Sequence, residues 1–309
     1  MSRINIDGIE SVRFSAPDLP QMREFLIEFG LLDAGDCADG VLRMRGTGDA
    51  PYLHETVEGA PGFQALSVRA ANIGELERLA KAEGVPLQDI AAPGGGAMVQ
   101  LRDPNGFLIE VVAGKAPASP IPDGVAGWNT LAQKQRSDAP KRLSAGPARV
   151  ARLGHVVLGV NDTQETWDWW RSRFALVMSD EVRAPNGALA AAFIRLDQGD
   201  VPTDHHSLNF AAIPGKPPVF HHAAFEVLDL DDLMVGHEHL RQAGRKHDWG
   251  IGRHILGSQV FDYWKDPWGH RLEHWTDGDV FTAEAPTSVH DLSVLMGQQW
   301  GPDAPADFV

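Results

Sequence analysis

The sequence predicts an α+β protein built from tandem β-α-β-β-β units, four in all and two per domain. Three observations point there. The chain matches itself half against half, each matched unit alternates strand-like runs with a capped helix, and an Asp-Pro-x-Gly turn recurs at the same place in both halves. Length agrees, since 309 residues suggest about two domains.

Gly8-Ile9-Glu10-Ser11-Val12-Arg13-Phe14-Ser15 lines up with Arg152-Leu153-Gly154-His155-Val156-Val157-Leu158-Gly159, which puts Ser11 opposite His155. A helix is expected after each. Asp18 precedes Met22, Phe25, Leu26 and Phe29, while Asp162 and Glu165 form a capping-box pattern ahead of Trp167, Trp170 and Phe174 at helical spacing. The next pair is Pro61-Gly62-Phe63-Gln64-Ala65 with Pro218-Val219-Phe220-His221-His222. Each leads into a strand and then a helix, after Asn72 to about Gly84 and after Asp229 to about Gly244, because glycine past the last apolar position is a common stop.

The last pair is the clearest. Leu101-Arg102-Asp103-Pro104-Asn105-Gly106-Phe107-Leu108-Ile109-Glu110 parallels Trp264-Lys265-Asp266-Pro267-Trp268-Gly269-His270-Arg271-Leu272-Glu273. Proline presets one dihedral of such a hairpin turn and glycine tolerates a positive one. The expected division is a metal-free domain over 1–114, a connecting segment over 115–148 rich in Pro, Ala, Ser, Gly and Lys, a catalytic domain over 149–280, and a tail over 281–309 that folds over one face.

Hydrophobic residues make up 43% and charged residues 22%, a globular balance. The formal net charge is -15 and no Lys/Arg-rich block occurs, which argues against nucleic acid or an anionic membrane surface as partner. A single cysteine, Cys37, can form neither an internal disulfide nor a thiolate cluster. The start lacks an apolar signal core, and no apolar run approaches the ~20 residues of a spanning helix, so a cytoplasmic protein is expected.

The repeat makes one half a control for the other. Positions that only build the fold should look alike, and positions that differ in chemical type are candidates for function. At the matched sites the first half has Ser11, Ala65 and Glu110, and the second has His155, His222 and Glu273. Two imidazoles and a carboxylate are the facial set that binds Fe(II) and leaves positions open. Any one of the three alone would be read as a core or hairpin residue. It is their joint occurrence at repeat-equivalent positions that singles them out.

The second half resembles the catalytic module of the type I extradiol catechol dioxygenases, in the vicinal oxygen chelate superfamily. The likeness rests on Gly252-Arg253-His254, then Tyr263, then Glu273 at the family's spacing, and on Asp266 to Glu273 as a block. It rests also on His206-Ser207-Leu208-Asn209-Phe210 ahead of His221-His222-Ala223-Ala224-Phe225-Glu226. The resemblance covers nearly the whole chain and implies two barrel-like domains, usually in a homo-oligomer. It implies Fe(II), with Mn(II) as the alternative, held by His155, His222 and Glu273. It implies His206 as acid/base, and His254 and Tyr263 as groups contacting the substrate oxygens. The substrates implied are a catechol and O2, with ring opening beside the two hydroxyls. His221 is the fallback ligand if the local alignment slips by one residue.

Other features are set aside. Gly94-Gly95-Gly96 lacks the Lys-Ser/Thr of a phosphate loop and reads as a hairpin loop. His237 and His239 are two apart on a helix and cannot share a ligand. His205 is expected to point away from His206 by strand alternation. His270 and His274 are assigned to the rim or the back of the strand, and Trp249, Trp264 and Trp268 to the neighbourhood of the site. Two rivals remain: a glyoxalase-like metal-dependent isomerase or lyase, which needs no His206, His254 or Tyr263, and a non-catalytic small-molecule binder, which needs no complete ligand triad.

Overall fold

The computed structural model describes residues 3–35, 39–122, 124 and 127–308, so Cys37 lies outside the described residues. The first half runs β1 (Ile6–Ala16), α1 (Leu19–Glu28), β2 (Leu32–Asp33), β3 (Leu42–Arg45), β4 (His54–Glu58), then β5 (Gly62–Ala70), α2 (Ile73–Glu83), β6 (Gln88–Asp89), β7 (Ala97–Arg102) and β8 (Leu108–Ala113). The second half runs β9 (Val150–Val160), α3 (Thr163–Arg173), β10 (Leu176–Arg183), β11 (Leu189–Leu196), β12 (Thr203–Asp204), β13 (Leu208–Ala212), then β14 (Val219–Val227), α4 (Leu230–Gln242), β15 (Lys246–His254), β16 (Val260–Lys265) and β17 (Arg271–Thr276). The tail adds β18 (Val280–Phe281), β19 (Ser288–Asp291), a 3-10 turn (Leu292–Val294) and β20 (Gln298–Trp300).

Each half is therefore two β-α-β-β-β units, with β12 as an addition that pairs with β18. The eight-stranded sheet has the order β2-β3-β4-β1-β5-β8-β7-β6. The ten-stranded sheet has the order β19-β10-β11-β13-β9-β14-β17-β16-β15-β20, so strands of the tail extend both of its edges. In each sheet the leading strands of the two units pair antiparallel at the centre, β1 with β5 and β9 with β14.

Local chemistry sets the elements. Asp18, Asn72, Asp162 and Asp229 each cap a helix by accepting from the backbone N–H three residues on, worth about 1 kcal/mol apiece. In both Asp-Pro-x-Gly turns the Asp carboxylate accepts two backbone N–H bonds, Asp103 from Asn105 and Phe107 and Asp266 from Trp268 and His270. Gly106 and Gly269 close these turns at φ of +86° and +94°.

The core is shared between the halves. Phe14 meets Phe220 edge-on at 5.0 Å, and Phe29 stacks on His274 at 3.9 Å. His274 is wholly buried and donates to the Phe29 carbonyl at 2.6 Å, so it sits at the back of its strand and ties the halves together.

Candidate metal centre

His155, His222 and Glu273 come from three adjacent strands, β9, β14 and β17. Ala224 on β14 lies opposite His155 on one side and Glu273 on the other, and His222 is two residues earlier on the same face. A methyl group thus floors the site and leaves room above it. His155 Nε2 lies 3.2 Å and His222 Nε2 3.3 Å from Glu273 Oε2. All three side chains are buried, Glu273 completely.

Among the described residues, neither Glu273 oxygen nor His155 Nδ1 has a hydrogen-bond partner. A buried carboxylate without donors is costly unless a cation balances it. The three ligand atoms lie within 4.8 Å of one another, so the residues fit a divalent metal of the imidazole-carboxylate type. Burial raises the Glu273 carboxyl pKa, but the His155 and His222 imidazoles outweigh it and hold the group well below the usual range. Burial also lowers His222 to about 4, keeping neutral the ring that a ligand must offer.

Around this set lie the expected helpers. Tyr263 pairs directly across from Glu273, so the pleat turns both to one face. His254 Nε2 lies 2.9 Å from the Tyr263 hydroxyl and 3.9 Å from Glu273 Oε1. The His206 ring centroid is 4.2 Å from that of His155. Burial, then the neighbouring imidazoles, pushes His206 well down, and burial lowers His254 to about 4. Burial raises the Tyr263 phenol well above its ordinary value. These groups, with Phe193, Asn209, Leu256 and Trp249, line one pocket.

Several expectations need correction. His205 does not turn away. It lies on a bend before β13, where strand alternation does not apply, and its Nδ1 is 3.0 Å from His206 Nδ1. Its Nε2 meets Asp180 at 2.8 Å, and Asp180 also holds His290 of the tail at 3.0 Å. His221, the fallback to the expected His222, lines the same pocket beside it. Its Nδ1 lies 2.7 Å from His222 Nδ1, and its Nε2 donates to the Phe308 carbonyl at 2.8 Å. Trp249 lines the pocket and stacks on Tyr263, whereas Trp264 faces the other side of the sheet and Trp268 packs against the core. The repeat had no means of finding Leu295, Met296 and Phe308, because the tail residues that close the pocket have no counterpart in the first half.

In the first half Ser11 and Ala65 are buried where imidazoles stand in the second. Arg13 bonds both oxygens of Glu110, at 2.9 and 2.8 Å, and reaches Glu55 at 3.0 Å.

Residues 152–274 match the family model described as the Glyoxalase/Bleomycin resistance protein/Dioxygenase superfamily. The chain is 29% identical over 316 residues to metapyrocatechase 2 of Cupriavidus necator, covering 98% of this chain and 92% of that one. It is 28% identical over 159 residues to an iron-dependent extradiol dioxygenase of Rhodococcus jostii, covering 47% of this chain and 52% of that one. Among solved structures it is similar to the Mn(II)-bound glyoxalase of Novosphingobium aromaticivorans, with a TM-score of 0.78, 21% identity, and coverage of 99% of this chain and 94% of that one. That last likeness concerns the fold alone.

Proposed function

We propose that this chain, whose residues 152–274 belong to the Glyoxalase/Bleomycin resistance protein/Dioxygenase superfamily, is an extradiol dioxygenase that opens a catechol ring with both atoms of O2 at one Fe(II). The observation that carries this reading is a complete two-His, one-Glu set whose His155 and His222 line one pocket together with His206, His254 and Tyr263. The relatives named metapyrocatechase and extradiol dioxygenase support it.

His155, His222 and Glu273 would hold the metal. Bound there, Fe(II) would supply the Lewis acid that lowers the pKa of the diol oxygens and the electronic link between ring and O2. His206, kept neutral by burial, has Nδ1 engaged by His205, which leaves Nε2 to take or return a proton on the pocket side. The His254–Tyr263 hydrogen bond aims a phenol and an imidazole together at a substrate oxygen. Trp249, Phe193 and Phe308 wall the ring and exclude water.

Anaerobically iron-loaded protein mixed with a catechol and then exposed to air should consume one O2 per catechol and form a yellow ring-opened product. No oxygen uptake across a panel of catechols would overturn the proposal. Turnover of a glyoxalase substrate without oxygen uptake would favour the isomerase reading.

A further inference from the structure

Behind the pocket, on the opposite face of the same strand, lies a second group of metal-ligating side chains. Asp262 precedes Tyr263 on β16, so the pleat turns it away from the pocket. There His237 of α4 places Nδ1 3.0 Å from Asp262 Oδ2, and His247 of β15 places Nε2 2.8 Å from Asp262 Oδ1. The three ligand atoms lie within 4.8 Å of one another, as compact as those of the first centre. Asp262 is completely buried, and the Trp264 indole donates to its Oδ2 at 2.6 Å, which fixes the carboxylate's orientation as outer partners of metal ligands do. The imidazoles are 22% and 33% exposed, so the group opens to solvent on one side.

The first half again serves as control. Gln100 pairs with Glu110 as Tyr263 pairs with Glu273, so Val99 stands where Asp262 does. Counting from the helix caps Asn72 and Asp229, Ala80 stands where His237 does. Val99 is fully buried and Ala80 packs on the core. The fold is therefore served at these positions by apolar residues. In the second half they have become a buried carboxylate and an imidazole aimed at each other, joined by a second imidazole from β15.

The geometry points to a second divalent-cation site, formed by His237, His247 and Asp262. Two imidazoles and one carboxylate suit a borderline cation of the Zn(II) class, with the remaining position taken by water on the open side. The cation would fasten α4 to the back of the strand that carries Tyr263. His239, on the same helix, has no part in the group. The inference is independent of the ring-cleavage reading.

The test is to titrate metal-free full-length protein with Zn(II) alone and count bound metal after exhaustive dialysis. Wild type is expected to retain two equivalents. The His237→Ala/His247→Ala variant should retain one, Glu273→Gln should retain one, and the combination none. Co(II) in Glu273→Gln should give visible absorption bands that vanish when His237 and His247 are also replaced. Circular dichroism checks that the variants fold. If the double variant does not, His247→Ala alone, at an exposed position, should still lose the second equivalent. Bound metal that does not fall when both histidines are replaced would overturn the site and leave a purely hydrogen-bonded His-Asp-His cluster.

Discussion

Arg13 lays its guanidinium across both oxygens of Glu110, the carboxylate that occupies in the first half the position of Glu273 in the second. The two halves thus meet the same buried negative charge in different ways. One supplies an organic cation from its own residues, which also engages Glu55, and the other sets the carboxylate beside the His155 and His222 imidazoles. Ser11 and Ala65 complete the contrast, since both are buried and neither offers an imidazole.

Arg13→Met should therefore destabilise the protein without lowering its metal content. Glu55 and Glu110 are each about 2% exposed and would lose their shared cation. Breaking such a buried pair from one side costs about 3–5 kcal/mol. Urea unfolding compared with wild type measures the loss, and metal analysis checks the second half of the statement.

The two adjacent histidines on β14 should separate cleanly. His222→Ala is expected to lose iron at the first centre, as are His155→Ala and Glu273→Gln. His221→Ala should keep that iron and instead loosen the tail, because His221 bonds the Phe308 carbonyl. Iron content after anaerobic loading, alongside limited proteolysis of the tail, distinguishes the outcomes.

His206→Ala should retain iron and bind catechol but slow ring opening by about 10²–10⁴-fold, the range typical of a positioned acid/base group. A variant that turned over at the wild-type rate would remove His206 from the mechanism. His205→Ala should give a smaller loss, since His205 acts by holding His206 Nδ1.

Phe308→Ala should raise KM for catechol more than it lowers kcat. Phe308 is 4% exposed, and its ring packs on Trp249 at 4.7 Å, on Tyr263 at 5.0 Å and beneath the Arg271 guanidinium at 4.1 Å. Truncating it opens the wall of the pocket rather than altering a proton-transfer group. Steady-state oxygen-uptake kinetics read the split.

Stability should fall as pH drops below about 6.5. Burial lowers the pKa of His54 to about 3, where its ring stacks on Phe14 at 5.0 Å. Below the unfolded pKa of about 6.5 the unfolded chain takes up a proton that the folded chain refuses, so stability is lost progressively from there down to the folded value. His54→Phe removes this contribution, and between pH 7 and 5 the variant should lose about 2 kcal/mol less than wild type. Urea midpoints across that range provide the check.

Much of the architecture was legible locally. The helix caps at Asp18, Asn72, Asp162 and Asp229, the paired Asp-Pro-x-Gly turns and the period of the apolar residues each act within a few residues, so they survive in a one-dimensional reading. The repeat added the candidate ligands, because comparing Ser11 and Ala65 with His155 and His222 needs no coordinates. What only the tertiary structure decided depends on which strands become neighbours and on the register between them. That geometry turned His222 rather than His221 toward Glu273 and set the Arg13 guanidinium on Glu110. It brought His205 against His206 on a bend where strand alternation fails, and carried Phe308 of the tail back over Tyr263. It also gathered His237, His247 and Asp262 from a helix and two strands. Such contacts join side chains far apart in the chain, and no local pattern encodes the sheet order that brings them together.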